Sequence, residues 1–209
     1  MKLLITAATK NEIALFSSGD EDTDILIAGV GIVSTLYHLQ KRLQQIDYEM
    51  IIQAGFAGSF TDEIELGETV IVQQDTFGDL GAEENNYYKT IFDMGLADKD
   101  EFPFTNGWLT NKNDWVDMAG YKKVNAITVN KVSDSMILKQ QRENTFNPHI
   151  ETMEGAALHY ICLQENIPFL QVRTISNIVG ERDKIKWRLT AAVENLDTAL
   201  NQLIKKIKG

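Results

Sequence analysis

The sequence predicts a single α/β domain over residues 1–209, three layers deep, with a central mixed and twisted sheet flanked by helices. Two patterns carry this. Short, mostly apolar runs of strand length recur at 3–7, 24–28, 50–53, 69–74, 124–130 and 169–175. Stretches of helical period fall among them and close the chain. At 209 residues the chain is also long enough to bury a substantial core.

Residues 3–7 read as a buried first strand, and the polar turn Ala8-Thr9-Lys10-Asn11-Glu12 leads into a short helix through Phe16. Glu12 thus falls at the carboxyl end of a strand, where an acid suits the dipole of the helix that follows. After the strand at 24–28 comes Gly29-Val30-Gly31, then a helix with Val33, Leu36, Tyr37, Gln40 and Leu43 on one face. Such a GxG permits close backbone approach to a ligand and serves equally as a tight turn. The strand at 50–53 enters Ala54-Gly55-Phe56-Ala57-Gly58-Ser59, read as a loop that needs either positive φ or close packing. It lacks the Lys-Ser/Thr of a P-loop.

An acidic loop at 75–84 follows the strand at 69–74. Residues 85–115 are irregular and rich in aromatics, including Tyr87, Tyr88, Phe92, Phe104 and Trp108. They are either a loop packing its own cluster or a wall for a bulky ligand substituent. The strand at 124–130 precedes a polar, partly helical stretch at 133–144.

The chain is organised around residues 150–183, a loop, a helix, a tight link, a buried strand and a polar loop. Thr152 is the expected N-cap, with Glu154 in the first turn. Ala156, Ala157, Tyr160, Ile161 and Leu163 give the helix an apolar face. Pro168 punctuates, and the strand at 169–175 breaks into Ser176-Asn177, at the carboxyl end where open α/β sheets bind ligands. One acid that begins a helix and one amide that ends a strand can then overhang one pocket. Leu189, Ala192, Val193, Leu196, Ala199, Leu200, Leu203, Ile204 and Ile207 form a final helical stripe, a cover for the sheet.

A net charge of -10 argues against a nucleic-acid backbone or an anionic membrane as partner. Cys162 is the only cysteine, so no intrachain disulfide forms, and its place in the helical periodicity predicts a buried structural thiol. The apolar start, residues 1–5, is too short for a signal peptide, and no run approaches the roughly 18 residues of a membrane span, so the expected location is the cytoplasm. His38, His149 and His159 lack metal-ligand spacing, and no metal is predicted.

Met153-Glu154-Gly155-Ala156-Ala157 and Arg173-Thr174-Ile175-Ser176-Asn177 resemble the two signature segments of the nucleoside phosphorylase and nucleosidase superfamily. SNIVGERDKIKW, residues 176–187, and the acidic loop are similar to one branch of it, the futalosine hydrolases of menaquinone biosynthesis. With weaker matches at both ends the resemblance spans nearly the whole chain. It implies a nucleoside phosphorylase-like fold, a small-molecule nucleoside as partner, no organic cofactor, and a homo-oligomer, dimer or larger. The reaction it implies is hydrolysis of futalosine to hypoxanthine and dehypoxanthine futalosine.

The resemblance also assigns roles. Glu12 would activate the attacking water. Glu154 would accept hydrogen bonds from the ribose hydroxyls and stabilise positive charge on the sugar, with Met153 packed against it. Gly31, Phe56, Ala57 and Gly58 would lie near the ribose and the nucleophile. Phe56 stands where nucleosidases of the superfamily often carry a small polar residue, which leaves the water to the loop's backbone. Adenine-specific members place an aspartic acid at Asn177; an amide can instead donate to N7 and a 6-oxo group, which points to a 6-oxopurine. From the residues alone, Glu12 is also a helix-start acid, Asn177 a turn residue and Met153 a core methionine.

Phosphorolytic relatives need cations around an anion, yet AATKNE, AGVGIVST and QAGFAGSF hold no arginine and only Lys10. Water with Glu12 as base fits better. Arg182 or Arg173 would face the carboxylate that futalosine carries, or Asp183 would pin such an arginine; residues 180–187 read equally as a salt-bridged loop. The rivals are a methylthioadenosine/S-adenosylhomocysteine-type nucleosidase, a purine nucleoside phosphorylase, and a non-catalytic nucleoside-binding protein.

Overall fold

The computed structural model describes residues 1–19, 21–85 and 87–209. β1 (Leu3–Ala7) and β2 (Thr23–Ile27) precede α1 (Ile32–Leu43), and β3 (Met50–Ser59) and β4 (Thr69–Phe77) follow it. A separate ribbon of β5 (Gly81–Glu84) and β6 (Tyr87–Thr90) leads on to β7 (Leu109–Thr110), α2 (Trp115–Met118) and β8 (Lys122–Thr128). The chain continues through α3 (Met136–Phe146), β9 (Ile150–Thr152), α4 (Gly155–Gln164) and β10 (Phe169–Ile178). A 3₁₀ turn at Lys184–Lys186 and α5 (Leu189–Lys208) complete it.

The main sheet is mixed. β2 pairs parallel with β1, β1 with β3, and β3 with β10. β10 is antiparallel to β4, which runs parallel to β8, itself parallel to β9. β9 then returns antiparallel to β3 at Gly58 and Ser59, so β3, β10, β4, β8 and β9 close a ring. Alternation along the strands sends Leu3, Ile5 and Ile52 against Leu196, Leu200 and Leu203 of α5. It sends Leu4 and Ile51 the other way, against Leu39 of α1 and Leu158, Ile161 and Cys162 of α4. The expected three layers result, with each fully covered leucine contributing about 1.5–3 kcal/mol of burial. Cys162 is buried as predicted. No helix of the described residues is long and apolar enough to cross a membrane.

Several local expectations are corrected. The turn expected at 8–12 is present, but no helix follows it: residues 8–15 are turns and bends throughout, although the Glu12 side chain accepts the Thr9 N–H as in a capping box. Residues 54–59 are not a loop but the second half of β3, and neither Gly55 nor Gly58 has positive φ. Close packing is what those glycines serve. Residues 150–152 are a strand, and Asn177 lies within β10 rather than beyond it. In α1 it is Thr35 and Leu39 that are buried, while Val33 and Tyr37 are 78% and 60% exposed. Packing of α1 against α4 sets that rotation, together with the Ser34 hydroxyl bound to the Ala28 carbonyl at 2.7 Å. The aromatics of 85–115 pack among themselves and their neighbours: Phe104 meets Phe77, Phe92 and Tyr160, and Tyr88 and Trp108 meet Phe146. Asn86 of that stretch lies outside the described residues.

Candidate active site

The carboxyl ends of β1, β3 and β10 and the N-terminus of α4 meet at a cavity of about 440 Å³. Glu12, Phe56, Ala57, Gly58, Met153, Glu154, Asn177 and Arg182 line it; Gly31, Arg173 and Asp183 do not. A larger groove of about 750 Å³ between α1 and α4 contains none of them. None of the described residues of 85–115 reaches the cavity, so the aromatic segment is no wall to it in this chain.

Glu12 is set by the turn that ends β1. Its Oε2 accepts the Thr9 N–H at 2.7 Å and the Thr9 hydroxyl at 3.2 Å. Its Oε1 faces the Phe56 N–H at 3.4 Å, a long bond that leaves this oxygen available to another donor. Gly55 lets the carboxylate lie against β3. A Cβ there would collide with the Arg173 guanidinium and come within 2.8 Å of Glu12 Oε1. Arg173 is 1% exposed and donates to Gln53, so it is a buried cation behind Glu12. It cannot face a substrate carboxylate, which corrects one of the two arginine expectations.

Glu154 occupies the N-cap position of α4, the place expected for Thr152, but its side chain caps nothing. Two threonines from the strands below do so instead. Thr128 Oγ1 accepts the Ala156 N–H at 2.7 Å, and Thr152 Oγ1 accepts the Gly155 N–H at 3.2 Å. Glu154 is thereby released to take the Gly31 N–H at 3.0 Å. Gly31, at φ 90, therefore supports Glu154 and stands outside the cavity lining. Burial pushes the Glu154 carboxyl above its ordinary range, while the Arg173 charge and the Gly31 N–H draw it down and the nearby Glu12 charge raises it.

Asn177 owes its position to a β-bulge. The register of β10 on β3 slips between Ile175 and Asn177, so that Asn177 pairs with Gly58. Its Oδ1 accepts the Ser176 hydroxyl at 2.8 Å and its Nδ2 donates to the Ile178 carbonyl at 2.9 Å. One amide N–H remains for a ligand. Arg182, at the rim, is exposed and stacks over Trp187 at 5.3 Å. Glu181 pairs with Lys186 at 2.5 Å and Asp183 takes the Ile185 N–H at 3.1 Å. The salt-bridged loop is thus real, and Asp183 pins no arginine. Lys10 is exposed and outside the cavity; among the described residues Arg182 is its only lining cation.

Sequence reasoning missed the buried role of Arg173 and the presence of Glu151 in the cavity wall. A signal for the first existed: Gln171 and Arg173 stand two apart in an apolar strand, hence on one face. Glu151 carried none.

Two acids and an amide gathered around one cavity of a closed mixed sheet make a polar pocket of the kind that enzymes use. Residues 2–205 match the family model of the phosphorylase superfamily, and the chain belongs to it. Among its relatives is a futalosine hydrolase of Streptomyces coelicolor, 26% identical over 185 residues, covering 86% of this chain and 77% of that protein. A 5′-methylthioadenosine/S-adenosylhomocysteine nucleosidase of Listeria welshimeri is 24% identical over 191 residues, covering 88% and 81%. The native structure of a Helicobacter pylori futalosine hydrolase shares the fold, with a TM-score of 0.80 at 14% identity over 98% of this chain and 97% of that one.

Proposed function

We propose that this protein is a nucleosidase that hydrolyses the N-glycosidic bond of futalosine, releasing hypoxanthine and dehypoxanthine futalosine as a step of menaquinone biosynthesis. The observation that supports it most is the convergence of Glu12, Glu154 and Asn177 on one cavity, whose only cation among the described residues is Arg182 at its rim.

In this reading a water lies against Glu12 Oε1 and attacks C1′ of the ribose. The C1′–N9 bond breaks with its electron pair going to the purine, and the water's proton goes to Glu12. Glu154, held by Gly31, accepts hydrogen bonds from the ribose hydroxyls and gains strength as the sugar becomes oxocarbenium-like. Met153 packs on the sugar. Asn177 donates its remaining N–H to the leaving base, which takes its proton from solvent. Arg173, buried behind Glu12, draws the Glu154 carboxyl toward its ionised form, against the burial that raises it.

The methylthioadenosine/S-adenosylhomocysteine nucleosidases are relatives at similar identity, and Asn177 is the residue that favours a 6-oxopurine over their adenine. The test is purine release from futalosine, inosine and methylthioadenosine, each with and without phosphate. Hypoxanthine from futalosine, independent of phosphate, is expected. Preferential adenine release, or a requirement for phosphate, would overturn the reading.

A further inference from the structure

Asp75 is a fully buried acid of β4 that neither lines the cavity nor enters the reaction above. Earlier in the same strand Val70, Ile71 and Val72 are apolar, and a carboxyl buried among such residues is costly unless it is bonded. What it bonds is the support of α4. The Ala156 N–H donates to Thr128 Oγ1 at 2.7 Å, and the Gly155 N–H to Thr152 Oγ1 at 3.2 Å. A backbone N–H only donates, so both hydroxyl oxygens are acceptors there. The Thr128 hydroxyl gives its one hydrogen to Asp75 Oδ1 at 3.0 Å, and Thr152, 3.0 Å from Thr128, gives its own to Thr128. Every donor in this chain points one way, and Asp75 Oδ1 is its terminal acceptor.

Glu154 sits between the anchors. The bond from Gly155 back to Thr152 closes residues 152–155 into a tight loop, and Thr128 ties that loop to β4 through Asp75. Asp75, Thr128 and Thr152 are at most 3% exposed, so no bulk water stands by to replace the carboxyl. Gly155 permits the approach: a Cβ there would collide with Asp75 Oδ2 and Gln171 Nε2. The first turn of α4 is thus seated directly on the buried acid.

We propose that Asp75 is a positioning residue for Glu154: as the end of the hydroxyl chain that seats α4, it fixes the Glu154 carboxylate over the cavity. The inference rests on the reading of Glu154 as the acid that meets the ribose. The Gly31 N–H holds one oxygen of Glu154 at 3.0 Å, and the chain from Asp75 holds the backbone on either side of it. With an apolar side chain at 75 the Thr128 hydrogen has no acceptor. The hydroxyl then turns away, the Ala156 N–H loses its partner, and the first turn of α4 shifts with Glu154. A displacement of about 1 Å in a group that acts on the transition state costs about 100-fold in rate.

The experiment is a double-variant cycle on purine release, run on whichever of futalosine, inosine and methylthioadenosine the unaltered protein cleaves fastest. Asp75→Leu is expected to lower kcat about 100-fold with KM within about fivefold, because Glu154 binds most strongly in the transition state. Asp75→Asn keeps a carbonyl oxygen for the Thr128 hydroxyl and is expected to stay within about fivefold of the parent. Added to Glu154→Gln, Asp75→Leu is expected to cost less than about fivefold more, since the group it would misplace is already disabled. A residue that served the fold alone would multiply the two losses, so a larger further fall would overturn the proposal. Full turnover by Asp75→Leu, or an equal loss in Asp75→Asn, would overturn it too. If Asp75→Leu does not fold, Thr128→Val, which removes the linking hydroxyl, runs the same cycle. Preferential adenine release would overturn the choice of futalosine and leave Asp75 to be decided by the cycle, because the ribose is common to all three substrates. Release of no purine from any of them would overturn both readings.

Discussion

Replacing Glu12 by glutamine separates chemistry from architecture. The Thr9 N–H reaches Glu12 Oε2 at 2.7 Å, and a glutamine carbonyl oxygen accepts the same bond. The amide then faces the Phe56 N–H, forfeiting the 3.4 Å contact. That contact is worth at most about 1 kcal/mol, which is a fall of roughly 2–4 °C in melting temperature for a chain of this size. An amide cannot take the proton of water, so turnover is expected to drop about 10²–10⁴-fold. The loss equals roughly 2.7–5.5 kcal/mol in the barrier. Purine release would be followed by chromatography, and substrate affinity by calorimetry on the slow variant. The expected affinity stays within about threefold of the unaltered protein, since Glu154 and Asn177 are untouched. Turnover within tenfold of the original, in a protein that melts normally, would refute Glu12 as the base.

Two further predictions concern the support of the site. Gly55→Ala places a Cβ against the Arg173 guanidinium and Glu12 Oε1, and Arg173 is buried and tied to Gln53. It is expected to cost about 1–3 kcal/mol in urea melts and to lower turnover at least about tenfold by displacing Glu12; an unchanged protein would count against this packing. Asp75 is fully buried, and burial holds its carboxyl up at about 7, against 3.8 when exposed. Between those values the native chain keeps a proton that the unfolded chain releases. Its stabilising effect is therefore complete below pH 3.8 and is lost as pH rises to about 7, about 4 kcal/mol in all. Asp75→Asn removes that slope, so the variant should gain on the parent between pH 4.5 and 7.5 in urea midpoints. His159, which burial holds down at about 4, is common to both proteins and cancels. A difference that does not vary with pH would contradict the shifted carboxyl.

Much of the site could be read before the fold was known. The 153–157 and 173–177 segments, Glu12 after the first strand, and the glycine-rich stretch at 54–59 all reach one cavity. What could not be read was what each residue leans on. The stretch at 54–59 has the composition of a loop, yet it is strand, because its glycines answer to Arg173 and Asn177 more than a hundred positions away. Gly31 reads as a substrate-binding residue from the sequence, and nothing local shows that its N–H holds Glu154 across 123 positions. The expected apolar face of α1 holds at Leu36 and Leu43, which pack in the core, and fails at Val33 and Tyr37, which look like core residues in a helical projection while α4 fixes the rotation.

The sequence by itself determined the α/β class, the strand runs, the last helix and which polar residues stand at strand ends. These follow from local periodicity and from side-chain chemistry that travels with each residue. Only the tertiary structure decided the closure of the sheet into a ring, the bulge that aims Asn177, and the partnership of Glu151 with Arg142 beside Gly58. Those features depend on register between strands distant in the chain, and register is set by packing in three dimensions, where one residue of slip redirects every side chain that follows.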